Sequence, residues 1–344
     1  MNGIKKLPTI NDVAALAGVS KRTVSRVING SPRVNPDTRA RIQRAIEQLN
    51  FAPNREARGL AAKRSYLLGL IYDVPTLFIN SIQKGMLSVC EDSGYEVVVH
   101  ACHIEHDGLV DDVVRFINRA HLDGVMILPP VSDINTLADS LDEIGCKFVR
   151  FSSELGGESY KQVVTDYMPA IMDMTNHLVE LGHREFGYIT GPPSHVSSRK
   201  RQEVFIQALK SHGLKLPGNM IVEGAFTYES GLAAGRKILS LDRPPTAIFA
   251  ANDEMAFGVM NVADELGVKI PDDLSLVGFD GTKFSTFVIP SLSTIIRQTD
   301  EMAQLGTQKL LALINDGPDA ARAFETMVSP RFLPRESTGP APKR

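Results

Sequence analysis

Between Thr9 and Asn29 the chain reads TINDVAALAGVSKRTVSRVIN, a stretch compatible with few folds. Thr9 is placed to cap a helix with Asp12 three residues on, after which Val13, Leu16 and Ala17 recur at helical spacing and form one apolar face. Gly18 tolerates the left-handed turn that stops this helix, and Ser20 is placed to cap a second one almost at once. The second helix, Lys21 to Ile28, turns Val24, Val27 and Ile28 inward. It leaves Lys21, Arg22, Ser25, Arg26 and Asn29 outward, a face of donors with no acid. Two short amphipathic helices joined by a glycine turn, the second carrying basic and amide side chains, predict a DNA-binding helix-turn-helix.

The charge distribution supports a division of labour. The 344 residues carry a net charge of -3, but residues 1–64 hold 13 Lys+Arg against 4 Asp+Glu, which leaves 24 against 36 for residues 65–344. A basic head on an acidic body suits a polyanion-binding module attached to a body with another task. Within the head, Asn35 and Pro36 start a third helix with Ile42, Ala45, Ile46 and Leu49 facing in. Arg33, Arg39 and Arg41 stay outside, either as phosphate contacts or as solvated surface charges. Beyond Phe51 and Pro53, Asn54 can cap a short segment, REARGLAA, with Ala57, Leu60 and Ala61 along one side. Such a segment is too short to be stably helical alone and needs a partner to order it. Arg55, Arg58, Lys63 and Arg64 flank Leu60 as candidate phosphate contacts.

From Tyr66 onward, apolar strand-like runs such as YLLGLIYD, EVVVHA, DGVMILPP and CKFVRFSS alternate with helical stretches. After VVTD a second set follows, with EFGYITG, PTAIFAAND and LSLVGFD among its strands. Nearly all-apolar strands in a repeated βα pattern predict parallel sheets covered by helices on both faces. Two such subdomains in tandem leave a cleft at the carboxyl ends of the strands, where ligands of open α/β sheets sit. Asp73, Asn252 and Asp280 bring carboxylates and an amide to those ends, donors and acceptors suited to a polyol. Asp73 has capping of the next segment as its alternative role, and Asp253 is expected to cap a helix beginning at Glu254. Arg150 reaches towards the cleft by strand periodicity, Ser197 and Ser198 are further candidates, and Tyr72 and Phe151 are either an aromatic wall or core.

Several classes are disfavoured. Cys90, Cys102 and Cys146 are odd in number and lack a CxxC pair, which speaks against a disulfide framework or structural zinc and for a reducing cytoplasm. In HACHIEH, strand alternation puts His100 and Cys102 on one face and His103 on the other, so no metal is expected. The N-terminus MNGIKKLPT has no apolar h-region and no run approaches a membrane span, which disfavours an exported binding protein and a membrane protein. P-loop, G-x-G-x-x-G, H-E-x-x-H and G-x-S-x-G motifs are all missing, so neither an enzyme nor a cofactor is expected.

The turn A-G-V-S and the tail T-V-S-R-V-x-N are far more specific than a glycine turn alone. On these motifs, and along almost the whole chain, the sequence resembles the bacterial lactose-repressor (LacI/GalR) family of transcription regulators. The resemblance implies an N-terminal all-α helix-turn-helix domain at 1–53, a hinge helix and linker at 54–65, and a periplasmic-binding-protein-like α/β core at 66–335. That core would be a pair of doubly wound parallel-sheet subdomains, about 66–163 plus 297–328 and about 164–296, followed by a Pro-rich tail at 336–344. Lys21, Arg22 and Arg26 would enter the major groove, the arginines suited to bidentate pairing with guanine. Thr9, Ser20, Thr23, Ser25, Asn29, Arg33, Asn54, Arg55 and Arg58 would complete the DNA surface. Leu60 would press into the minor groove from a hinge helix paired with its copy.

For the effector, Arg201 in SSRKRQEVF matches the family's R-x-x-G-[FWY] signature, with Val204 in place of the glycine. Asn252 and Asp253 match A-N-D, Asp280 matches G-[FY]-D, and Phe226 takes the place of an aromatic that stacks on a sugar face. PSLSTIIRQT matches a family crossover except that Arg297 stands where many members carry glutamine, a departure that touches the coupling of the subdomains. Without a C-terminal leucine heptad, a homodimer is expected. The implied protein is a cytoplasmic repressor of carbohydrate-utilisation genes that binds a palindromic double-stranded operator and is switched by a small sugar. A purine or phosphorylated-metabolite corepressor is the alternative, kept open by Arg150 and Arg201, and a soluble carbohydrate-binding protein without DNA is a further one.

Overall fold

The first helix starts as its spacing predicts, because the Thr9 backbone N–H and hydroxyl both donate to the Asp12 carboxylate at 2.7 Å. In the computed structural model, which describes residues 8–28, 31, 33–51 and 64–343, α1 runs Ile10–Ala17. It stops at Gly18, whose φ of +63° lets the Val19 N–H reach back to the Ala14 carbonyl at 3.0 Å. Ser20 accepts from the Thr23 N–H at 3.2 Å and opens α2 (Lys21–Ile28). Asn35 accepts from the Asp37 N–H at 2.9 Å, and Pro36 occupies the first position of α3 (Pro36–Leu49). Val13, Ala14, Ala17, Val24, Val27, Ile42, Ala45 and Phe51 then close one small core.

Leu16 does not join that core and is 47% exposed. The buried arc of α1 is Val13, Ala14 and Ala17, a spread of about 100° on a helical wheel that leaves Leu16 to one side. Small side chains on this arc let α1 and α3 approach closely. The expected hinge helix at 54–65, with Asn54, Arg55, Arg58 and Leu60, lies outside the described residues, as does Asn29. The head, up to Tyr66, and the body, from Leu67, are separate compact units.

In the body, β1 (Leu67–Tyr72), β2 (Glu96–Ala101), β3 (Gly124–Ile127), β4 (Lys147–Ser152) and β5 (Gln162–Thr165) are parallel, in the order β5-β4-β3-β1-β2. They alternate with α4 (Leu77–Ser93), α5 (Leu109–Ala120) and α6 (Asn135–Glu143). A second parallel set follows: β6 (Phe186–Thr190), β7 (Ile221–Glu223), β8 (Ala247–Ala250), β9 (Ser275–Asp280) and β10 (Ser293–Ile296), ordered β10-β9-β8-β6-β7. Its helices are α7 (Met168–Glu180), α8 (Val196–Ser211), α9 (Tyr228–Leu239) and α10 (Asp253–Glu265). All residues of β3, β5, β6 and β8 are buried, as parallel strands covered on both faces require.

The chain crosses between the sheets three times. It leaves the first after β5 and returns through α11 (Thr299–Asn315), which packs on α4 and β4. Past α12 (Pro318–Arg322), β11 (Met327–Val328) pairs parallel with β5, and β12 (Arg331–Leu333) then pairs antiparallel with β10 in the second sheet. The first sheet runs to Thr165, and the second also takes the chain beyond Val328.

The segment 336–343 is not a free tail. The Leu276 N–H donates to the Ser337 carbonyl at 2.9 Å, the Ser337 hydroxyl to the Leu276 carbonyl at 2.6 Å, and the Ala341 N–H to the Leu181 carbonyl at 2.8 Å. Backbone groups laid against a buried sheet need such partners. Buried His183 fastens the same seam, with Nδ1 2.9 Å from the Thr246 hydroxyl and Nε2 3.0 Å from the Gly339 carbonyl. Burial holds its imidazole below the ordinary value of 6.5. Of the HACHIEH residues, His100 pairs with Asp112 at 2.8 Å and stacks on Phe116, and the Cys102 thiol donates to the Tyr72 carbonyl. Among the described residues no three His, Cys, Asp or Glu side chains gather as a metal site, and no helix is long and apolar enough to cross a membrane.

Candidate functional site

Two sites emerge, one on each unit. On the head, α2 buries Val24 and Val27 and presents Lys21, Arg22 and Arg26 to solvent, with Thr23 and Ser25 half-buried beside them. Its first turn contains no acid, so the face offers donors to a phosphate-lined groove. Ser20 and Thr23 hold the turn together through their hydroxyls, 2.8 Å apart, and Thr9 is engaged with Asp12. Arg33 and Arg41 are exposed. Arg39 is not a free surface charge, because its guanidinium donates to the Ser31 carbonyl and closes the α2–α3 loop.

The body carries a cleft of about 540 Å³ where the carboxyl ends of both sheets meet. Asp73, Ser197, Arg201, Phe226, Asn252 and Asp280 all line it. Arg150 does not: its guanidinium turns to the Gly156 carbonyl at 2.9 Å, and the next residue along β4, Phe151, takes the cleft-facing place. Tyr72 is buried outside the cleft lining, and the aromatic wall is instead Phe78, Phe151, Tyr167 and Phe226.

Arg201, on α8, is 3% exposed and donates to the Ala251 carbonyl at 2.6 Å. Its guanidinium lies 3.8 Å from the centre of the Phe279 ring, with the rings of Tyr167 and Phe226 at 5.1 and 5.8 Å. Asp280 closes β9 with φ +110°, a conformation that costs a non-glycine residue about 1–3 kcal/mol and is held by its surroundings. Burial pushes its carboxyl above the ordinary carboxylate range, while Arg297 and Arg201 pull it back. Burial also raises the Tyr167 hydroxyl, but the same two arginines outweigh it and leave the group below its ordinary value. His195, beside Phe226, is held below its ordinary value of 6.5 by burial, with Asp73 pulling the other way.

The cap expected at Asp253 falls on Asn252, which lines the cleft as well. Asp253 is the first residue of α10, so the preceding Asn252 is the cap and accepts from the Met255 N–H at 2.9 Å. The Asn252 amide also donates to the Phe226 carbonyl at 2.8 Å, fixing Phe226 at φ +62°. The Phe226 ring lies over Gly191, where a β-carbon would fall inside the ring. Asp253 is wholly buried and accepts from the Thr294 hydroxyl at 2.6 Å and the Thr282 N–H at 2.7 Å, tying β10 to the loop after β9. Burial, reinforced by the neighbouring Asp280, raises its carboxyl to about 7. Flat rings with carboxylates, an amide and guanidinia around them can grip a polar ring compound.

Residues 9–54 match the domain described as bacterial regulatory proteins, lacI family, and residues 175–338 match the periplasmic binding protein-like domain. Catabolite control protein A of Priestia megaterium is 32% identical over 312 residues, covering 89% of this chain and 92% of that protein. The chain belongs to the LacI family of bacterial regulatory proteins.

Solved LacI-family structures extend the match. The lac repressor dimer bound to operator and the anti-inducer ONPF is similar with a TM-score of 0.78 at 27% identity, covering 97% of this chain and 100% of that one. The CelR–cellobiose complex is similar with a TM-score of 0.69 at 28% identity, covering 96% and 99%. Against the family pattern, Val204 in the signature glycine's place is 3% exposed and packs in the core of the second sheet. Arg297, in the place of the common glutamine, lines the cleft, as do Phe78, Tyr167, His195 and Glu254. None of these five stood out as a ligand contact in the sequence. Only Arg297 left a signal, a charge where the crossover pattern has an amide.

Proposed function

We propose that this LacI-family protein represses transcription by binding a palindromic operator as a homodimer, and that a small sugar in the cleft sets its operator affinity. The observation that carries the reading is a single cavity lined from both sheets, by Asp73 and Phe151 on one side and Arg201, Phe226, Asn252 and Asp280 on the other. An occupant touching both sides favours one angle between the sheets over another, and a coupling of about 1–3 kcal/mol changes operator affinity several-fold to about 150-fold. The operator in the lac repressor structure and the cellobiose in the CelR structure support the two halves of this reading.

On the head, Lys21, Arg22 and Arg26 enter the major groove, with Thr9, Ser20, Thr23, Ser25, Asn29 and Arg33 around them. Leu60, outside the described residues, is the side chain assigned to the minor groove, with Asn54, Arg55 and Arg58 on the phosphates beside it. The protein acts in the cytoplasm and turns over no substrate. A thermal-shift screen of mono- and disaccharides, followed by operator anisotropy titrations at fixed salt, tests the reading. A sugar that stabilises the protein and changes operator affinity is the expected result. Operator binding indifferent to every small metabolite would overturn it.

A further inference from the structure

Arg201 and Arg297 both line the cleft and are 3% and 7% exposed. Their acceptors are few. Arg201 has the Ala251 carbonyl, and Arg297 faces Asp280 Oδ1 at 3.5 Å, long beside the 2.7–2.9 Å of a charge-assisted hydrogen bond. Their other neighbours are aromatic: the Phe279 face for Arg201, the Phe78 face at 4.1 Å for Arg297, and Tyr167, whose hydroxyl the two guanidinia hold below its ordinary value. The Nε–H of each guanidinium is buried without an acceptor. Leaving such a donor unmade is costly, and more so when it is charged. Asp73 and Glu254 also line the cleft, but among the described residues neither pairs with an arginine, and Asp73 accepts from the Ile104 N–H. One carboxylate and one tyrosine hydroxyl thus serve two buried cations. A neutral hydroxyl can accept single bonds from such a pair, whereas an oxyanion with two or three oxygens meets planar donor forks and offsets the second charge.

We propose that the effector carries an anionic group, a carboxylate or a phosphate on a polyhydroxylated body, and that Arg201 and Arg297 together hold it beside Asp280. This rests on the ligand-switch reading above. Arg297 sits in the crossing between β10 and α11, so the anion pulls on a strand-to-helix strap that joins the two sheets. That gives ligand charge a direct route to the angle between them.

The test is calorimetric titration of the full-length protein with matched sets built on glucose, galactose and mannose. Each set holds the hexose, its uronate, its aldonate and its 6-phosphate. In at least one set an acid binds about tenfold or more tighter than its neutral parent. Arg297→Gln removes most of that margin. The double variant Arg297→Gln/Asp280→Asn, which keeps the buried charge balanced, does the same should the single variant fold poorly. The arm that wins, carboxylate or phosphate, identifies the group. Neutral hexoses matching their acids, or a margin that survives both variants, overturns the proposal and leaves the sugar switch standing. Binding of no member of any set overturns both.

Discussion

The head and the cleft use arginine in opposite ways. On α2, Arg22 and Arg26 are exposed around a small core, whereas Arg201 and Arg297 are buried inside the body. An exposed guanidinium stays hydrated until it meets a phosphate or a base edge, so its contribution to binding falls steeply with salt. A buried one has already lost its hydration and discriminates strongly among partners, largely independent of salt. One surface suits a long repetitive polyanion; the other suits a single small molecule chosen for shape and charge.

This contrast can be broken at its foundations first. Ile42 is fully buried at the centre of the head's core, and Ile42→Ala should cost about 2–5 kcal/mol, a large share of what so small a domain has. Calorimetry should show the head's transition lost and operator binding with it, while ligand binding to the body persists. A body transition that moves equally would mean the two units are not separate.

Next in size, Arg22→Ala should weaken operator binding by about 1–3 kcal/mol, with the loss concentrated at one base pair, and leave ligand affinity unchanged. Arg201→Ala should do the reverse, removing the ligand response in anisotropy titrations while the unliganded protein still binds operator. Equal loss of both activities in either variant would dissolve the contrast. Ser20→Ala, which deletes the cap of α2, should lower head stability by about 1 kcal/mol in denaturant titration without touching the body.

The smallest effect separates the units by acidity. All 8 histidines lie at or beyond position 100, so the head has none. Burial keeps folded His183 below 6.5, which means the unfolded chain takes up its proton more readily. Its contribution is therefore complete above pH 6.5 and is lost as the pH falls below that value. Asp253, raised to about 7, works in the other sense, losing stability as the pH rises towards that value. Comparing parent with His183→Gln isolates the histidine: the parent's body should lose melting temperature on acidification more steeply than the variant's. Parallel curves would sink the assignment.

Much of this was legible in the sequence where structure is local. Thr9 with Asp12, Gly18, Ser20 and Asn35 with Pro36 each declare a helix boundary through bonds spanning two to four residues, and the head follows from them. Leu16 was misplaced because two alanines define the buried arc as well as a leucine would, and only α3 decides between them. In the body, all-apolar runs announce parallel strands, but not which flank of a strand faces the cleft. That is why Arg150 turns out of the cleft while Phe151, wall or core by sequence, lines it; the cap falls one residue before Asp253 because the helix begins at Asp253 itself. Tyr167 and Arg297 lie close to crossings between the sheets, where position depends on topology rather than on any neighbour in sequence. A proline-rich ending reads as loop, and a loop can still be bonded along its length, as Ser337 and Ala341 are.

That bonded ending has a bearing on how the molecule is made. Because β12 pairs with the second sheet and residues 337–341 are bonded along it, the cleft exists only once this stretch has been made, while the head can fold hundreds of residues earlier. A chain stopped before β12 would carry a DNA-reading surface with no means of answering a metabolite.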